Sequence, residues 1–263
     1  MTTTGSPPLR PAYKGRSALR KVLLTETRLY LREPLTAFFT IGLPLGLLLI
    51  LGSTIPGFRE ADPSLGGERV VDTQLPAMMI MLAVSTSAFS IIPSVLATYR
   101  ERGVLRRLSV TPASPGTLLG AQLVLNLVTS VLAAFLTILF GHLVLDTRVP
   151  AALLWFVPCF VIGVCAMFAL GLSVAAVVPN GRVAGGVGSV VMFPLLFIGG
   201  MWLPRELMPD VLRRLSDFTP TGAFGQVMRD TWAGAAPQPL HLGVLLGWAL
   251  VGGVFAARVF RWE

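Results

Sequence analysis

Residues Thr73–Leu145 read TQLPAMMIMLAVSTSAFSIIPSVLATYRERGVLRRLSVTPASPGTLLGAQLVLNLVTSVLAAFLTILFGHLVL. Two charge-free runs, Thr73–Thr98 and Leu108–Leu145, flank a knot that holds Arg100, Glu101, Arg102, Arg106 and Arg107. Each run exceeds the roughly 20 residues that a helix needs to cross about 30 Å of hydrocarbon at 1.5 Å per residue. An open strand would leave its backbone groups unsatisfied in lipid. Barrel strands would alternate in polarity over pieces of about 10 residues, and this sequence does not.

The same pattern recurs on both sides. Pro34–Phe58, Val149–Gly181, Val183–Pro204 and Thr231–Ala257 are also free of charge. The chain as a whole is 54% hydrophobic and 13% charged, against about 25% charged in soluble domains. The expected fold is therefore an all-α polytopic membrane protein with six spans, at about 36–53, 75–98, 117–145, 151–178, 183–203 and 240–260. Together these make one transmembrane domain over 34–263.

The net charge of +8 is a topological signal. Fourteen of the 21 Lys and Arg residues fall before the first span, in the second loop, in the fourth turn or in the tail. Seven fall on the other side, so the positive-inside bias places both termini in the cytoplasm. The first 33 residues are polar and basic, and no cleavable signal peptide is expected. Residues 1–17 are expected to be disordered. Over 18–33, Leu19, Val22, Leu23, Leu29 and Tyr30 form one stripe, with Arg20, Lys21, Arg28 and Arg32 off it. That suits an amphipathic helix lying in the membrane interface, and Pro34 then turns the chain inward. Glu26 sits within the apolar stripe. It is either a carboxylate held at the headgroup level or the partner of a base elsewhere, Arg106 or Arg107.

Several chemistries are absent. No glycine-rich loop ends in Gly-Lys-Ser/Thr, and the two lysines, Lys14 and Lys21, lie outside any such setting. The chain therefore has no means of its own to hold ATP, and no cofactor or metal is expected in it. There is no His-Glu-x-x-His and no Gly-x-Ser-x-Gly. Ser173 and His142 fall at opposite membrane faces in this topology. Cys159 and Cys165, six residues apart on one span, point to different faces and are expected to be small core residues. Ser87, Ser90 and Ser94 line the second span, and Gly185 and Gly188 open the fifth, as small faces for close helix contact. Gln122 and Asn126 are the most polar side chains within a span, placed to bridge a neighbouring helix or to meet a cargo.

Three stretches carry a resemblance: "ETRLYLREPLTAFFTIGLPL", "RERGVLRRLSVTPASPGTLLGAQL" and "FIGGMWLPRELMPDVLRRLSDFTPTGAF". In this order they resemble the transmembrane subunit of type-2 ABC exporter permeases of the daunorubicin-resistance kind, over about 25–261. The resemblance implies a homodimer of permeases with two separate nucleotide-binding ATPase subunits, which would carry the ATP and Mg2+. It gives segment 99–115 the coupling role, through Glu101, Arg102, Gly103, Leu105, Arg106, Leu108 and Pro112, with Glu26, Arg28 and Arg32 on the interfacial helix beside it. It makes 204–237 a pair of short re-entrant helices capping the pore on the outside. The implied function is export of a hydrophobic or amphipathic, drug-like or lipid-like compound, with no nucleic acid involved. Nineteen arginines against two lysines suit a high-GC bacterial source and hence a bacterial plasma membrane. An energy-independent carrier or scaffold is the alternative, followed by an intramembrane enzyme.

Overall fold

A computed structural model describes residues 15–63, 67–109, 115–202, 205 and 208–259. Among these, secondary structure is almost entirely helical, with one isolated bridge between Ala61 and Arg69. Six helices are long and apolar enough to cross a membrane: Pro34–Thr54, Val70–Glu101, Gly116–Leu145, Leu153–Val177, Gly181–Ile198 and Pro239–Val259. The chain is an all-α polytopic membrane protein.

Side-chain contacts sort the connections onto two faces. On one, the Arg148 guanidinium lies 2.7 Å from Glu68, Arg69 donates to the Asp146 carbonyl at 3.0 Å, and Trp232 Nε1 donates to the Arg148 carbonyl at 2.8 Å. These bonds join the first, third and fifth connections. On the other face, here called the terminal face, Arg100 donates to the Val178 carbonyl and the Gly181 amide donates to Glu101 at 3.4 Å. The N-terminal helix Gly15–Leu31 and the end of the sixth span belong to this side.

The second span is the axis of the bundle and is buried without a break from Val71 to Phe89. It starts one turn earlier than hydropathy alone suggests, because Asp72 is not an unpaired charge. Asp72 is 1% exposed, and it accepts two bonds from Arg69, at 2.7 and 2.8 Å, and one from the Arg148 amide at 3.1 Å. A carboxylate satisfied in this way can enter a buried helix. Phe39, Ile50, Val190, Phe193, Leu250 and Val251 are exposed on the first, fifth and sixth spans. Cys159 is buried, but Cys165 is exposed, so the expectation that both are core residues fails for Cys165.

Two spans carry π-helical turns, at Phe38–Gly42 and Thr86–Ile91. Each lies just before a proline, Pro44 and Pro93. Proline has no N–H to return to the preceding turn, and its ring crowds the carbonyl four residues back. Widening the turn relieves that crowding.

The connection between the fifth and sixth spans includes the short helices Asp210–Phe218 and Pro220–Trp232. The second is buried against the second and fourth spans, with Phe224, Val227 and Met228 at 0% exposure. Phe224 fits where Gly163 leaves room, since a Cβ there would stand 2.1 Å from the ring. The Thr219 hydroxyl caps this helix by accepting from the Gly222 amide at 3.1 Å.

Candidate functional site: the corner at the terminal face

Three consecutive residues at the end of the second span reach three different elements. The Tyr99 hydroxyl donates to both oxygens of Glu26 on the N-terminal helix, at 2.8 and 3.0 Å. The Arg100 guanidinium donates to the Val178 carbonyl and, at 3.3 Å, to the Ala175 carbonyl, at the close of the fourth span. Glu101 accepts from the Gly181 amide, the first residue of the fifth span. Helical spacing makes this possible. Successive residues project about 100° apart, so one turn addresses neighbours all round.

Glu26 also accepts from Gln122 Nε2 of the third span at 2.6 Å. The carboxylate is 6% exposed. It is therefore neither a headgroup-level acid nor, in these bonds, the partner of a base: a phenol and an amide hold it. Burial pushes its pKa up; the bonds from Tyr99 and Gln122 pull the other way, and nearby Glu33 adds to the rise. Its own helix offers no basic partner at helical spacing, and that was the sequence's one sign of an outside contact. Nothing in the sequence marked Tyr99 or Arg100 as the residues that make this corner.

The chain leaves the second span by a turn at Gly103, whose φ of +66° is left-handed. A glycine after the helix end adopts this without the penalty a Cβ carries. The short helix Val104–Ser109 follows. Arg107 folds back onto the turn, donating to the Arg102 carbonyl at 2.9 Å. Arg102 and Arg106 are exposed, as are Arg28 and Arg32 on the N-terminal helix. The side chains of Leu105 and Leu108, and all of Pro112, lie outside the described residues.

Beneath this corner is a cavity of about 400 Å³. It lies between the N-terminal helix and the first three spans. Glu26, Tyr99, Gln122, Asn126 and Ser94 contribute to its wall. Asn126, 2% exposed, donates to the Gln122 carbonyl one turn away at 2.9 Å.

The sequence matches the ABC-2 type transporter family over residues 18–231, well over half of the chain. The chain belongs to the ABC-2 type transporter family. It is also 20% identical to YvfS of Bacillus subtilis (strain 168), a protein that carries the name of a transport permease. That similarity runs over 240 residues, 89% of this chain and 94% of the relative. The role of the chain is that of a transport permease.

In this ABC-2 type transporter the small residues singled out from the sequence meet one another. A Cβ on Gly188 would lie 1.8 Å from the Phe89 carbonyl oxygen, and one on Gly185 would lie 3.6 Å from Ser94 Oγ. From the fourth span, Gly171 approaches the Ala88 carbonyl almost as closely, and a Cβ there would stand 2.0 Å from its oxygen. Ala88 and Phe89 are the carbonyls five and four residues before Pro93, where a helical donor is missing. The glycine faces thus cover the carbonyls of the π-turn. Ser87 is buried, and Ser90 and Ser94 are half-buried on the same helix. Gln122 bridges to the N-terminal helix, whereas Asn126 bonds within its own helix and borders the cavity.

Proposed function

We propose that this permease is the membrane subunit of an ATP-driven exporter, with ATP hydrolysed by a separate nucleotide-binding subunit that docks on segment 99–115. Members of the family generally pair with an ATPase subunit. The observation that carries this reading is the corner at Tyr99, Arg100 and Glu101. Its bonds tie the end of the second span to the N-terminal helix and to the fourth and fifth spans. Tyr99's partner, Glu26, extends the linkage to the third span through Gln122.

A push on the helix Val104–Ser109, where Arg106 and Arg107 are exposed, would therefore move the axial span together with its neighbours. The route of coupling is a network of hydrogen bonds and packed helices with room to slide at glycine faces. This arrangement suits two alternative packings of the bundle, selected by closure of the partner ATPases. The partner's face in contact with Arg102 and Arg106 would carry acidic groups. The cargo would be a hydrophobic or amphipathic molecule taken from the bilayer, moving between two copies of the chain. The bacterial plasma membrane, with both termini in the cytoplasm, fits the excess of basic residues on the terminal face.

Copurification with the cognate nucleotide-binding subunit tests the docking surface. Replacing Glu101 or Arg106 with Ala is expected to weaken the complex or uncouple it. A complex and a transport rate unchanged by both substitutions would place the docking surface elsewhere.

A further inference from the structure

We propose that the cavity at the terminal-face corner binds the ammonium head of a membrane-delivered amphiphile, with Glu26 and Glu33 as counter-charges. The proposal rests on the permease reading and names the chemistry of a cargo site within it. The cavity, about 400 Å³, is in the range of small-molecule sites.

Its walls are graded. At the mouth are Glu33, at the turn that opens the first span, and Arg102, at the end of the second. At the far end is Ile91, eight residues and about 12 Å along the second span from Tyr99. Val95 and Leu125 add apolar wall part of the way along, beside the uncharged polar Ser94 and Asn126. A molecule with a charged head and a hydrocarbon tail fits that gradient.

The charge balance selects the sign of the head. Two carboxylates face one guanidinium. Glu26 is buried and is held by neutral donors, Tyr99 and Gln122. A buried carboxylate so placed gains from a mobile cation that supplies opposite charge. Burial also pushes the Glu26 pKa up, so an arriving cation would favour its ionised form. An ammonium offers three donors and no acceptor, which suits carboxylate oxygens. Tyr30 and Tyr99 also line the cavity. An anionic head would meet both carboxylates.

Such a head has two sources: a free amphipathic amine, or a phospholipid with an ethanolamine head. In the second case the lipid phosphate would be placed to meet Arg102.

The test uses the full chain in phosphatidylcholine nanodiscs, without ATP or partner, with partition into empty discs subtracted. Dodecylamine, dodecanol and dodecyl sulfate are titrated at neutral pH. Dodecylamine is expected to bind about tenfold or more tighter than dodecanol, with no saturable binding of the sulfate. Glu33→Gln is expected to weaken the amine about fivefold, the weight of an exposed ion pair, and to leave dodecanol unchanged. This exposed position is chosen because it leaves the Glu26 bonds intact. Equal affinity for amine and alcohol, or an amine affinity unmoved by Glu33→Gln, would overturn the proposal. Phosphatidylethanolamine added to the discs separates the sources: competition, weakened by Arg102→Gln, identifies the lipid, and its absence identifies a free amine. If the amine binds but the reconstituted pair moves nothing, the exporter reading fails while the site stands.

Discussion

Tyr99 Oη lies 2.8 Å from one carboxylate oxygen of Glu26 and 3.0 Å from the other, joining residues 73 positions apart. With Gln122 as the second donor, the pair ties the N-terminal helix to two spans. Glu26→Ala would leave a phenol and an amide without their acceptor, at a cost of about 1–3 kcal/mol. Glu26→Gln keeps an oxygen for Tyr99 and should cost less than Ala. Thermal unfolding in detergent compares the two. The pH dependence adds a sign. The folded state holds the Glu26 proton more firmly than the unfolded chain, so its contribution is fully present below about pH 4.5. It declines as pH rises through the raised folded value. Glu26→Gln should remove that slope.

Gly188 supports the Phe89 carbonyl with no space for a side chain. Gly188→Ala places a Cβ 1.8 Å from a backbone oxygen, so two spans must move apart. Overpacking of this kind costs about 1–3 kcal/mol. Gly186→Ala, two residues away with nothing within 4 Å of its Cβ, should be neutral or slightly stabilising. Melting temperatures of both variants, measured side by side, check the contrast.

Asp217 anchors the short helix Asp210–Phe218 to its surroundings. It lies 2.5 Å from Arg205 and 3.1 Å from His241 of the sixth span. Burial works against its ionisation, but the bonds from Arg205 and His241 outweigh this and lower its pKa below 3.8. The folded state therefore releases this proton more readily, and stability gained from the cluster is present above pH 3.8. It is lost as pH falls through the lowered folded value. Asp217→Asn should cost about 2 kcal/mol at neutral pH, with the gap to the parent narrowing as pH falls below 3.8. Unfolding followed from about pH 3 to 7 reads this directly.

The six spans were legible because lipid imposes one crude rule, length without charge, and each span obeys it. Asp72 shows where that rule misplaces an end: a carboxylate paired with the Arg69 guanidinium and bonded by the Arg148 amide is no longer a lone charge. Gly185, Gly188 and the serine stripe were legible as small faces, but which helices they join was not, since composition carries no partner. Glu26 was conspicuous for an acid in an apolar stripe. Its partners were not, because Tyr99 and Gln122 sit far away in sequence and neither is charged. Gly103, singled out only through the family resemblance, stands at a left-handed turn that suits a glycine. Arg100, read as one basic residue in a knot, instead holds the fourth span's last carbonyls.

In the proposed exporter, a separate ATPase drives this permease through the corner at residues 99–101. Reconstituting the chain in vesicles, with and without its nucleotide-binding subunit, and measuring ATP hydrolysis together with uptake of an amphipathic fluorescent amine, tests it most directly. The expected result is no hydrolysis by the chain alone, hydrolysis with transport by the pair, and hydrolysis with little transport when Arg106 is replaced by Ala. Hydrolysis by the purified chain alone, or transport that persists without ATP and without the partner, would contradict it.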